Sequence, residues 1–218
     1  MSVWVQKFFG AAAFCVAILA GDNAMAQGKG DIMISANLCL VQTNEIDTLA
    51  AALGAEGWRE LDPVPDDAIR SLAWTSVVYY FNGDSGGEQL RMIYDLQLGT
   101  ARGLARKKDI ATSKSRFLSR GDDTAIIIRR KPTAKITEID CRFAAGIAAT
   151  RDVRRAADDF EPDGSGFDAL APISPLQDGT SNQITVVLLD RDILSRQIGE
   201  PVTVDAVVQT NLIFSAQE

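Results

Sequence analysis

Two cysteines constrain this chain more than any other feature. Cys39 lies in the apolar run 32–41, and Cys141 lies in the apolar run 136–143. In an oxidising compartment two such residues pair. Closing a loop of roughly 100 residues stabilises a fold by about 4 kcal/mol in the chain-entropy account. Both runs therefore read as strands of one sheet, bridged by a Cys39–Cys141 disulfide. Two buried free thiols are the alternative, since free cysteine is often buried. In the first run Ile32, Ile34, Ala36, Leu38 and Leu40 form the cleaner apolar face, and Cys39 falls on the other. Side chains alternate across a strand, so that strand is expected to be central and covered on both faces.

The oxidising compartment is itself a reading of the sequence. Lys7 precedes an apolar run over residues 8–20, and Ala24-Met25-Ala26 supplies the small residues that a signal peptidase reads. Residues 1–26 thus read as a cleaved signal peptide, with residues 27–218 as a single domain in the periplasm or secreted. The apolar run is short of the roughly 20 residues that a membrane span requires. A formal net charge of −7 argues against a general nucleic-acid binder. No later stretch is long and apolar enough to be a transmembrane segment.

The pattern of apolar residues predicts an α+β fold. It has an antiparallel or mixed sheet of five or six strands and about four helices, mostly in the first half. Ile46, Leu49, Ala50 and Leu53 repeat at helical spacing, as do Ile69, Leu72, Ala73, Val77 and Tyr80. The end of that second helix, residues 76–81, is also good strand sequence. After the break at residues 82–87 a third helix runs to about Lys107, with Leu90, Tyr94, Leu98 and Ala101 on one face. Residues 116–119, 124–131 and 136–143 follow as a three-strand meander with turn chemistry at each corner. Its Arg120-Gly121-Asp122 spells a cell-adhesion tripeptide but is read as hairpin chemistry. A fourth helix is expected over residues 148–160, a long loop over 161–183, and strands over 184–189 and 202–214. The distance from Cys39 to Trp58 equals that from Cys141 to Phe160, which raises an internal duplication. The helical apolar positions are out of phase, because Leu49 would align with Arg151.

Several chemistries are excluded. The chain has no histidine, which removes Ser-His-Asp and Cys-His catalysis and the His-based zinc sites. No Ser-x-x-Lys nucleophile or phosphate-binding Gly-x-x-x-x-Gly-Lys loop occurs. An enzyme would have to rest on carboxylates or hydroxyls, as a small carboxylate-based hydrolase does. No catalytic residue and no cofactor is assigned. Asp159, Glu161 and Asp163, followed by Gly164, match the opening of a calcium loop. Leu170 then stands where the bidentate glutamate belongs, so the stretch reads as a solvated acidic loop that binds calcium weakly at most.

The strongest long-range signal is charge segregation. Residues 102–135 hold 11 of the 22 basic residues against three acidic ones. Arg106, Lys107, Lys108, Arg116, Arg129 and Arg130 are therefore the candidate contacts for an anionic envelope component or acidic protein. The competing reading is that these cations face the protein's own acidic surface. The favoured role is an exported, non-enzymatic accessory or binding protein. A carboxylate hydrolase and a structural envelope protein with a weak calcium loop are the alternatives.

Overall fold

A computed structural model describes residues 31–41, 43–80, 87–110, 112–156, 164–173 and 183–215. The proposed signal peptide and the acidic candidates Asp159, Glu161 and Asp163 lie outside these residues. In it the run that reads as the first strand is a helix, α1 (Ile32–Leu38). The reason is local. Asp31 caps it, its carboxylate accepting from the Met33 N–H at 2.7 Å. The buried positions are Ile32, Ser35, Ala36 and Cys39, spaced by three and four residues. Ile34, on the expected strand face, is 38% exposed. The misplaced face of Cys39 was thus a helical signature: a nearly uninterrupted apolar run fits either period.

The helix α2 (Ile46–Ala55), the short strand β1 (Arg59–Glu60) and the helices α3 (Asp66–Tyr80) and α4 (Gly87–Arg106) follow. Residues 76–80, readable either way, continue α3. Val77 stays buried one turn beyond Ala73, while Tyr79 and Tyr80 turn outward. Next come β2 (Asp109–Ile110), β3 (Ser113–Arg120), β4 (Asp123–Thr133) and β5 (Ile136–Ala145), which form the expected meander. The fourth expected helix is present as α5 (Arg151–Ala156). The chain closes with β6 (Phe167–Ile173), β7 (Gln183–Leu189), α6 (Arg191–Ile198) and β8 (Ala206–Ser215).

Every strand pair in the sheet is antiparallel, in the order β1-β3-β4-β5-β8-β7-β6, with β2 also on β3. Six of the strands have seven residues or more, and helices α1 to α4 precede all of those six. Strand β6 lies inside the stretch expected to be loop. Pro172 is compatible because β6 is at the sheet edge, with a register break between Leu170 and Ile173. The duplication is overturned: Cys39 closes a helix, whereas Cys141 is within a central strand.

Helices cover both faces of the sheet. On one face α1 and α2 bury Ile32, Ala36, Leu49 and Leu53 against Leu118, Ile127, Ile139, Phe143 and Val208. Cys39 and Cys141 lie in this layer as a disulfide pair, with Cα atoms 6.3 Å apart. On the other face α3, α4 and α6 bury Ala73, Val77, Leu90, Tyr94 and Leu194 against Ala144 and Val207. Leu72 packs there on Phe117, Ile126 and Ile128. Among the described residues no helix is long and apolar enough to cross a membrane.

Candidate functional site

The β3–β4 turn is a two-residue hairpin connection, because Arg120 is paired with Asp123. Gly121 supplies the positive φ of 58° that such a turn requires. The turn is fixed from both sides. Asp123 accepts from the Gly146 N–H at 2.9 Å, which ties it to the end of β5. The Arg120 guanidinium donates to Asp123 at 3.3 Å and lies 4.7 Å over the Trp58 ring. Arg120 and the Trp58 indole N–H both donate to the Ser35 hydroxyl, at 3.3 and 2.9 Å. Burial pushes the Asp123 carboxyl above its ordinary range, and the Gly146 N–H and Arg120 only partly counter it.

The next residue, Thr124, faces the opposite side of the sheet by strand alternation. There it lines a groove of about 510 Å³ between this turn, the N-terminal half of α3 and the start of α6. The groove is lined by four hydroxyl-bearing residues (Ser71, Ser119, Thr124 and Thr203), two acidic ones (Asp67 and Asp122) and Arg191, the Thr124 oxygen itself being closed off from solvent. Leu61, Pro65, Ala68 and Ile147 supply apolar wall, and Ile147 is 60% exposed. Thr124 is only 6% exposed, and its hydroxyl has no hydrogen-bond partner among the described residues. A neighbouring groove of about 380 Å³ shares Ile147 and Arg191. It contains the buried carboxylate of Asp205, which accepts from Arg154 Nε and Nη2 at 2.6 Å each and from Thr150 at 2.5 Å.

The basic segment is divided by the fold. Arg116 and Arg129 point to the α1–α2 face. Arg116 lies 2.9 Å from Asp47, 3.0 Å from Asp109 and 3.8 Å from Glu60, and Arg129 is 4.0 Å from Glu45. Burial works to lower the Arg116 pKa, and the Asp109 hydrogen bond with the Asp47 charge overcomes it, so the net direction is upward. Arg130 points to the other face, 3.4 Å from Asp140, which Arg142 also grips at 2.6 Å. Lys108 is paired with Asp62 at 3.0 Å. Of the six candidate cations only Arg106 and Lys107, at the end of α4, are exposed with no carboxylate partner among the described residues. The groove residues were not among the sequence candidates. The Gly121-Asp122 turn was visible in the sequence, but the unpaired hydroxyl of Thr124 has no sequence signal.

No protein-family model matches the chain, and neither a curated protein nor a solved structure does.

Proposed function

We propose that the chain is an exported, non-enzymatic binding protein whose contact surface is the hydroxyl-lined groove beside the β3–β4 turn. The ligand class is polyhydroxylated and neutral or cationic. The observation that carries this reading is the Thr124 hydroxyl. A buried hydroxyl left unpaired costs about 1–3 kcal/mol, and such groups in native proteins have partners. The oxygen has almost no accessible surface in the free protein, so a ligand hydroxyl supplies a partner once the groove wall opens at Thr124. The surrounding hydroxyls and the apolar Ile147 wall suit the mixed polar and C–H surface of a sugar. Asp67 and Asp122 outnumber Arg191 in the groove, which disfavours an anion.

A hydrolase reading needs a carboxyl with a raised pKa inside the groove. Asp123 has the raised pKa, but it faces α1, bound to Arg120 and Gly146. Asp205 is locked in its bidentate arginine pair. Binding is therefore favoured over hydrolysis.

The test is amide chemical-shift mapping with a glucosamine oligomer, a neutral glucose oligomer and a polygalacturonate. Shifts at Gly121, Thr124 and Gly146 with either of the first two support the reading. Thr124→Val should then weaken binding by about fivefold, the share of one hydrogen bond, without loss of stability. No shift in the groove with any of the three, or shifts with the polyanion alone, overturns it. A second reading, an anionic partner at the end of α4, is favoured by the unpaired Arg106 and Lys107. Joint reversal of these two to Glu should abolish capture of anionic vesicles if it holds.

A further inference from the structure

The outer face of α4 carries two large exposed apolar side chains between its charged ends. Met92 is 65% exposed and Leu96 66% exposed. Both project on the side opposite the buried Leu90, Tyr94, Leu98 and Ala101. Gly99 and Gly103 continue the same stripe, and a Cβ at either would meet no atom within 4 Å. We propose that this stripe is the seam of an antiparallel homodimer, with the two α4 helices crossing on an axis between residues 97 and 98.

The argument is self-complementarity. A twofold axis at that point sets Met92 opposite Gly103 of the second copy and Leu96 opposite its Gly99. Each large side chain then fills the space over a glycine, the arrangement that lets helices approach closely. The same axis sets Glu88 opposite Lys107 and Gln89 opposite Arg106. The other charges that border this face are already satisfied within the chain. Arg91 bonds to Asp95 at 3.1 Å, and Arg102 to Asp66 at 2.9 Å. Glu88, Arg106 and Lys107 remain without partners among the described residues, with the acid at one end of the helix and the bases at the other. An antiparallel pair matches them, whereas a parallel pair would set base against base. The two helix dipoles, opposed in that arrangement, favour the same orientation.

A 20-residue helix is about 30 Å long. A seam of one such helix per copy falls at or below the roughly 1,200 Å² that opens the range of stable interfaces. The dimer is therefore weak and concentration-dependent. This inference is independent of the groove, none of whose lining residues is on α4.

Sedimentation velocity over a concentration series of the purified chain tests it. Leu96→Asp should raise the dimer dissociation constant by about tenfold or more. Gly103→Leu should do the same while raising the melting temperature of the monomer, because Leu is the better helix former. This second variant excludes misfolding as the cause. Glu88→Lys and Lys107→Glu should each weaken the dimer, and the double variant should restore it. A chain that stays monomeric throughout overturns the inference, as does dimerisation untouched by Leu96→Asp. Binding of anionic vesicles by a wild-type monomer through Arg106 and Lys107 also overturns it and assigns those cations to an anionic partner.

Discussion

Replacing Cys39 and Cys141 together by alanine tests the staple between α1 and the sheet. The two cysteines are separated by 102 positions. The chain-entropy account gives about 4.7 kcal/mol for a loop of that size. Domains are stable by only about 5–15 kcal/mol, so the loss is a third of the total or more. The effect also has a local form. Helix α1 has seven residues, well below the roughly 12–15 at which isolated helices become marginal. Without the bridge it is held by the burial of Ile32 and Ala36, by the Ile32 N–H bond to the Ala149 carbonyl at 3.2 Å, and by Ser35 under Trp58 and Arg120. Burying one isoleucine side chain stabilises by about 1.5–3 kcal/mol, so α1 should open before the sheet does.

Urea unfolding followed by tryptophan fluorescence, together with amide exchange, separates the two forms. The double alanine variant should lose about 4.7 kcal/mol of global stability on this account, and α1 amides should exchange faster than those of β4 and β5. Trp58 should red-shift as it loses its Ser35 partner. A variant within about 1 kcal/mol of the parent, the middle of the range for ordinary substitutions, would refute the reasoning if its α1 amides kept full protection. The unfolded chain would then retain enough structure for the bridge to constrain little.

Two further outcomes follow from the buried carboxylates. Asp205→Ala removes a buried carboxylate from a half-exposed Arg154 that keeps its bond to the Leu189 carbonyl, so it should cost about 1.5–3 kcal/mol, the range for a hydrogen bond to a charged group, measured by thermal unfolding. Asp123 is one pH-sensitive group: its folded pKa is raised above the ordinary 3.8, so the native state binds the proton more tightly than the unfolded one. Stability should fall as pH rises from that value through the raised one. Asp123→Asn should flatten this slope in urea titrations run across acidic pH, while an unchanged slope would assign it to another group.

The sequence was most informative where period and punctuation agree. The β3–β4–β5 meander and α4 were legible because alternation or 3.6-residue spacing is bounded by turn residues on both sides. Helix α1 was not, since a run with so few polar residues satisfies both periods. Its cap Asp31 and the odd face of Cys39 were the discriminating signs. Helix α6 was marked by Asp190, which accepts from the Ile193 N–H at 2.9 Å, and by Gly199 in the left-handed conformation. Both cap signals are visible in the sequence but lie in a stretch short on apolar residues. Strand β6 was hidden by Pro172, which argues against a strand except at an edge. Edge position is a property of the sheet order and not of the segment. The groove was illegible for a similar reason, because the state of the Thr124 hydroxyl depends on what α3 and α6 bring near it.

Charge density along the chain becomes charge density on the surface only where the backbone keeps neighbours on one side. Arg129 and Arg130 are adjacent in sequence, but β4 sends them to opposite faces. One meets Glu45 beside α2, and the other meets Asp140 below α3. The acids that answer Arg102, Lys108 and Arg116 come mainly from residues 47–66, which the fold lays along β3 and α4. A basic segment and an acidic remainder are then largely an internal match, formed mostly between part-buried cations and exposed acids, where each pair contributes about 0–1 kcal/mol. A helix end is one exception to this rule, since successive residues past the last turn splay into solvent together. That is where Arg106 and Lys107 stay unmatched. The charge pattern therefore points to the termini of α4, where Glu88 at the opposite end gives a second copy the complementary sign.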